Sequence, residues 1–218
     1  MKRVYVIHQL LPAGVAAAEE FRDRLDAMLF PAEAAQIQGA VEARRREFAT
    51  GRHCARQALA ELGFPPAPLL SGRHREPLWP EGVIGSITHC AGYRAAAVAP
   101  DARLAAIGID AEPDEQLPAG VFEAVATGDE AARITELLDA APEVHWDRLL
   151  FCAKESIYKA WYPIAQRWLG FEDAVVTLDR AARTFTAEIL IPGPLTHVAG
   201  HWLAGRGLLL TAVALPRP

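Results

Sequence analysis

The apolar positions change period several times along the chain, and each change marks an element. Residues 4–7 form a short apolar run that reads as a first strand. From 15 to 29, Phe21, Leu25, Met28 and Leu29 recur at helical spacing and predict a helix. Residues 32–48 predict a second helix, closing on the basic run Arg44-Arg45-Arg46. Gly51 then predicts a bend. A third helix over 52–62 buries Ala55, Ala58, Leu59 and Leu62, and Gly63 and Pro65 stop it. A loop rich in proline and basic residues fills 65–80. Residues 83–89, 93–99 and 104–111 read as three strands of a meander, turning at Cys90-Ala91-Gly92 and Pro100-Asp101.

Residues 113–118 read as a linker. Beyond it, short helices are expected near 121–125 and over 129–138, and a long one from about Trp146. Hairpins follow over 174–179 with 184–191, and over 202–204 with 208–214, the second turning at Gly205-Arg206-Gly207. Helices followed by antiparallel strands in each half define an α+β fold. The halves are residues 1–114 and 115–218; no identity between them is strong enough to count as a repeat.

Composition narrows the classes. The 218 residues suffice for one large domain or two small ones, and 51% hydrophobic with 22% charged residues fits an ordinary soluble protein. A net charge of −5 argues against nucleic acid as a partner. Cys54, Cys90 and Cys152 lie far apart and form no CxxC motif, which suits a reduced, cytosolic chain. Lys2-Arg3, an apolar run and Ala16-Ala17-Ala18 have a faint look of a secretory signal, but His8, Gln9 and Pro12 interrupt it. No apolar stretch is long enough to span a membrane.

The chemistry concentrates in the long helix, at Phe151-Cys152-Ala153-Lys154-Glu155-Ser156-Ile157-Tyr158-Lys159. Glu155 and Lys159 are four apart and share a face, with Lys154 beside them. A carboxylate flanked by two ammonium groups suits a site that handles a metal and a phosphate together; in isolation, the same spacing is an ordinary helix-supporting pair. The second motif is Ile107-Gly108-Ile109-Asp110-Ala111-Glu112-Pro113. On a strand, Ile107, Ile109 and Ala111 face a core. Asp110 and Glu112 share the opposite face beside Gly108, which would leave room for a ligand. Two carboxylates there suit Mg²⁺, although alone they read as a solvated strand end. Thr88 and His89, ending a strand, can donate to a phosphate. Arg44, Arg52, Arg56, Arg73 and Arg75 form a basic set fitting a small polyanion, or a solvated helix face. Cys152 reads as inert packing, and His197 and His201 are set aside because Gly200 lies between them with no acidic partner near.

Taken in order, GRHCAR, REPLWP, GSITHC, GIDAEP and FCAKESIYKAW resemble the Sfp-type 4′-phosphopantetheinyl transferases, and more narrowly their enterobactin-synthetase-component-D-like actinobacterial branch. The resemblance runs from about residue 44 to the C-terminal hairpin. It implies two similar α+β halves with the active site between them. It implies transfer of the phosphopantetheine arm of coenzyme A to a serine hydroxyl of acyl or peptidyl carrier proteins, with adenosine 3′,5′-bisphosphate leaving. Carried over, Asp110, Glu112 and Glu155 would hold Mg²⁺, with Mn²⁺ as the alternative. Glu155 would take the serine proton, directly or through a metal-bound water. Lys159 would neutralise the leaving phosphate and Lys154 would touch the pyrophosphate. Arg52, Arg56 and the Arg73-His74-Arg75 loop would hold the 3′-phosphate and adenine, and Thr88 and His89 phosphate oxygens. Arg44 belongs with the coenzyme-binding arginines, and a monomer is expected. Relatives tend to carry lysine where this chain has His74, and Trp-Ser where it has Phe151-Cys152. The rival readings are a Mg²⁺-dependent phosphohydrolase acting on coenzyme A and a non-catalytic binding relative.

Overall fold

The structure, a computed structural model, describes residues 6–217, and the chain divides into two compact units, one reaching to Ile107 and taking in Pro216, the other Gly108–Leu215. Residues 4 and 5 of the strand expected at 4–7 lie outside the described residues; Ile7–Leu10 form a 3-10 turn.

The first unit is a three-stranded antiparallel sheet with a long helix on it. Strand β1 (Ala16–Glu20) and strand β2 (Val83–Cys90) flank the central strand β3 (Tyr93–Pro100). Helix α1 (Pro31–Gln36) is short, and helix α2 (Glu42–Glu61) is long. From α2, Cys54, Ala55, Ala58 and Leu59 pack on Ala16, Ala18, Ala96 and Val98. Alanine against alanine lets helix and sheet approach closely.

Here the structure departs from the sequence reading. The helix expected over 15–29 is strand β1 and a loop. Ala16–Ala18 pair with Val98, Ala97 and Ala96, while Leu25 and Met28 stand 90% and 80% exposed. Pairing with the buried β3 outweighs the local helical propensity of alanine. The break between helices falls at 37–41, around Gly39, and not at Gly51, which lies inside α2. A Cβ at Gly51 would meet Ile87 Cγ2 at 3.4 Å, the edge of ordinary contact, so this glycine sits in the helix beside β2 without bending it.

The second unit places helices against an antiparallel sheet. Its helices are α3 (Val121–Val125), α4 (Glu130–Ala140) and α5 (Trp146–Ala165). Its hairpins are β5 (Ala174–Asp179) with β6 (Thr184–Ile189) and β7 (His197–Gly205) with β8 (Leu208–Pro216). Strand β4 (Leu104–Pro113) carries the boundary between the units. It does not continue a meander from β3: the sheet order is β4-β8-β7-β6-β5. Only three residues separate β3 from β4, which favours local pairing, but a β4 buried on its apolar face finds its partner in β8. Helix α5 buries Trp146, Leu149, Leu150, Ile157, Ala160 and Trp161, and Gln166 caps it in the left-handed region at φ 50°. Residues 113–118 are fastened to the start of α5: Leu117 N–H donates to Asp147 at 2.9 Å, and Asp114 Oδ1 lies 2.9 Å from His145 Nδ1. No helix among the described residues is long and apolar enough to cross a membrane.

Candidate active site

Gly108 sets the site's geometry. A Cβ there would overlap the Ser156 carbonyl oxygen and stand 2.7 Å from Ala160 N, both backbone atoms of α5. The glycine thus admits the helix and not a ligand, correcting the expectation drawn from sequence. Two residues on, Asp110 faces the same way and meets α5 from the strand side. Its Oδ1 accepts from Lys159 Nζ at 2.6 Å, and Lys159 also donates to Ile109 O at 3.2 Å. Glu112, two further, accepts from Arg148 Nη1 at 2.9 Å.

On α5, Arg148, Cys152, Glu155 and Lys159 follow at intervals of four, three and four, so they share one face. The Glu155 side chain makes no hydrogen bond or ion pair among the described residues. Burial raises its carboxyl above the ordinary value; Lys159 opposes the rise and Asp110 and Glu112 add to it. Burial and Asp110 raise Glu112 likewise, against Arg148 and Lys159. Burial depresses Lys159, but Asp110 and Glu155 outweigh it and hold the ammonium charged. Cys152 is fully buried against Leu209 O and Thr211, and burial and Asp110 push its thiol well above its ordinary range. That is an inert thiol.

Three carboxylates facing one ammonium suit a hard cation, which takes oxygen ligands. Among the described residues, however, no group of three or more His, Cys, Asp or Glu side chains is arranged to hold a metal ion. Asp110 is drawn to Lys159 and Glu112 to Arg148. The donor set fits in kind; gathering on one ion requires the side chains to turn from these partners.

Lys154 is not part of this cluster. Its side chain is 2% exposed and its Nζ donates to Glu130 Oε2 at 2.7 Å, Phe171 O at 2.8 Å and Val125 O at 2.9 Å. An ammonium has three N–H groups, and these acceptors use them. The expected pyrophosphate contact from Lys154 does not survive this geometry: one position along a helix turns a side chain about 100° to another neighbourhood.

In the first unit, His89 is presented to solvent while Thr88 is 2% exposed. His89 Nε2 lies 2.7 Å from Arg44 Nη1, and Nδ1 lies 3.2 Å from Glu47. Arginine only donates, so Nε2 accepts and Nδ1 carries the proton. Burial raises Glu47, but Arg44, His89 and Arg94 outweigh it and keep the carboxyl low. Arg52 turns inward: Nε donates to Leu69 O at 2.7 Å and Nη2 to Ser71 Oγ at 2.8 Å. Burial lowers its guanidinium to about 10. Arg56 pairs at 2.8 Å with the fully buried Glu33, which also accepts from Leu69 N–H. Both arginines thus secure the segment leading into the loop of Arg73, His74 and Arg75, where Arg75 has φ 69°, which corrects the expected direct contact of Arg52 and Arg56 with the 3′-phosphate and adenine to a supporting one.

The sequence reading missed Arg148, Glu130, Glu33 and Glu47. Arg148 was detectable, since it lies seven before Glu155 and so on its face. Each of the three glutamates has a partner three residues before it, Phe30 for Glu33, Arg44 for Glu47 and Thr127 for Glu130, but the second partner that gives it its role lies far along the chain.

The fold and this constellation define a family, and comparison with known proteins identifies it. Residues 32–99 match the 4′-phosphopantetheinyl transferase N-terminal domain, and residues 106–212 the 4′-phosphopantetheinyl transferase superfamily. The chain belongs to this family, whose members transfer the phosphopantetheine group from coenzyme A to carrier proteins. It is a transferase of that kind. It is 49% identical over 222 residues to the 4′-phosphopantetheinyl transferase Svp of Streptomyces mobaraensis, covering 98% of this chain and 90% of that protein. It is 47% identical over 224 residues to PptT of Mycobacterium tuberculosis, covering 96% and 98%. Enterobactin synthase component D of Salmonella typhimurium is 33% identical over 144 residues, 65% of this chain and 58% of that protein, in line with the branch read from the motifs.

Proposed function

We propose that Glu155 is the general base of the transfer. It takes the proton of the carrier serine as the hydroxyl oxygen bonds to the phosphorus carrying the pantetheine arm. The bond from that phosphorus to the bridging oxygen breaks, and adenosine 3′,5′-bisphosphate leaves. Lys159, one turn away and held charged by Asp110, neutralises the leaving phosphate. The observation that carries this reading is Glu155 itself: a partly buried carboxylate without a hydrogen-bond partner among the described residues, raised toward the pH at which a base is effective. Phosphoryl transfer needs positioning and charge neutralisation more than a protein nucleophile, in keeping with the inert Cys152.

Asp110, Glu112 and Glu155 would hold a divalent cation, Mg²⁺ with Mn²⁺ as the alternative. When bound, it neutralises charge on the pyrophosphate. Thr88 and His89, with Arg44, take phosphate oxygens of coenzyme A. The Arg73-His74-Arg75 loop, secured by Arg52 and Arg56, takes the 3′-phosphate and adenine. The acceptors are acyl and peptidyl carrier proteins of polyketide, nonribosomal peptide or fatty acid synthesis, modified in the cytoplasm by a monomer.

The test is a mass spectrum of an apo carrier protein incubated with the enzyme, coenzyme A and Mg²⁺. A mass gain of one phosphopantetheine, lost with E155Q and with EDTA, is expected. Cleavage of coenzyme A without carrier modification would replace this reading with the hydrolase. Full activity of E155Q would remove Glu155 from the role of base.

A further inference from the structure

Lys154 immediately precedes the proposed base, yet its ammonium serves a different neighbourhood. The Lys154–Glu130 pair is buried, with side-chain exposures of 2% and 0%. Lys154 reaches the last residue of α3 through Val125 O and the turn after α5 through Phe171 O. Glu130, in the first turn of α4, also accepts from Thr127 N–H at 2.7 Å and from Val176 N–H of β5. One charged pair therefore joins α5 to α3, α4, the 171–173 turn and β5.

We propose that Lys154 is a positioning residue for the transfer reaction: anchored through Glu130, it fixes the setting of α5 from which Glu155 and Lys159 face Asp110. The inference rests on the reading of Glu155 as base. Its physical ground is that apolar packing is non-directional, so a helix held by it alone can rotate or slide slightly. A buried ammonium with three directed acceptors admits one setting. Gly108 removes the other slack, since α5 touches β4 backbone to backbone there.

The experiment compares K154M, E130Q and the double variant with E155Q in steady-state assays of carrier modification. Thermal melts are recorded for each, and assays are run well below the lowest melting temperature. Positioning predicts that K154M lowers kcat by roughly thirty- to a hundredfold with KM for coenzyme A unchanged, as small misplacements of catalytic groups do. E130Q should lower kcat in the same direction, and the double variant should be no worse than K154M, because both act through one pair. A raised KM in K154M with E130Q unaffected would make Lys154 a coenzyme contact and overturn the proposal. Lowered melting temperatures with wild-type kcat would reduce the pair to a purely structural role, overturning it equally. E155Q separates the two readings: if it keeps wild-type kcat the base assignment fails, whatever Lys154 does. Should K154M not fold, E130Q, which keeps shape and an acceptor, carries the same test.

Discussion

Replacing Gly108 with alanine adds one methyl group at the point where β4 and α5 meet. Its carbon would overlap Ser156 O and lie 2.7 Å from Ala160 N, both backbone atoms that no rotamer change can move. Restoring a non-bonded separation of about 3.5 Å requires β4 and α5 to part by on the order of 1 Å. The Lys159–Asp110 contact, now 2.6 Å, would then pass the limit of a good hydrogen bond at about 3.2 Å. Overpacking of this kind costs about 1–3 kcal/mol, lowering the melting temperature by roughly 3–10 °C for a chain of this size. Displacement of Asp110 and Glu112 from Glu155 should lower kcat by roughly a hundredfold. G205A is the control, since a Cβ at Gly205 meets only Leu203 Cδ2, at an ordinary 3.7 Å. Differential scanning fluorimetry and the carrier-modification assay read both effects. G108A with wild-type melting and activity would refute the close-approach argument.

R148A frees Glu112 and removes donors to Glu115 O at 3.0 Å and Gln116 O at 2.9 Å. Because Glu112 would have to leave Arg148 to join an ion, R148A should strengthen Mn²⁺ binding, read by electron paramagnetic resonance on the coenzyme-free protein; a loss of roughly 10–100-fold would instead make Arg148 the group that orients Glu112. Metal stabilisation should depend on pH. Glu112 and Glu155 titrate above their ordinary 4.5, so without metal their contribution to stability is fully present below that value and is lost as pH rises through the raised values. A divalent cation binds the ionised forms, so the melting-temperature gain with excess Mg²⁺ should grow across the same window, and a gain independent of pH would contradict it. C152S should retain activity, and native Cys152 should resist thiol reagents, because the buried thiol lies well above its ordinary range; prompt labelling with loss of activity would reverse that conclusion.

The sequence alone determined the strongly periodic elements and the chemistry written in contiguous motifs. Helix α5, the β2–β3 turn and both C-terminal hairpins were legible because alternating or 3.6-residue patterns and Gly-containing turns are local signals. Asp110, Glu112, Glu155 and Lys159 were legible because residue type and spacing along one strand and one helix fix which face each occupies. Tertiary structure decided the rest. Ala16–Ala18 became a strand only because β3 required a partner, and alanine's own preference gives no hint of that. The pairing of β4 with β8 joins segments about a hundred residues apart, beyond any local pattern. Gly108 signals equally a ligand's approach and a helix's; only the position of the α5 backbone distinguishes them. Lys154 and Lys159 are both lysines of one motif, yet Glu130 buries the first and Asp110 draws the second to the site. An ammonium's role is set by the acceptors around it, and the fold alone brings those together.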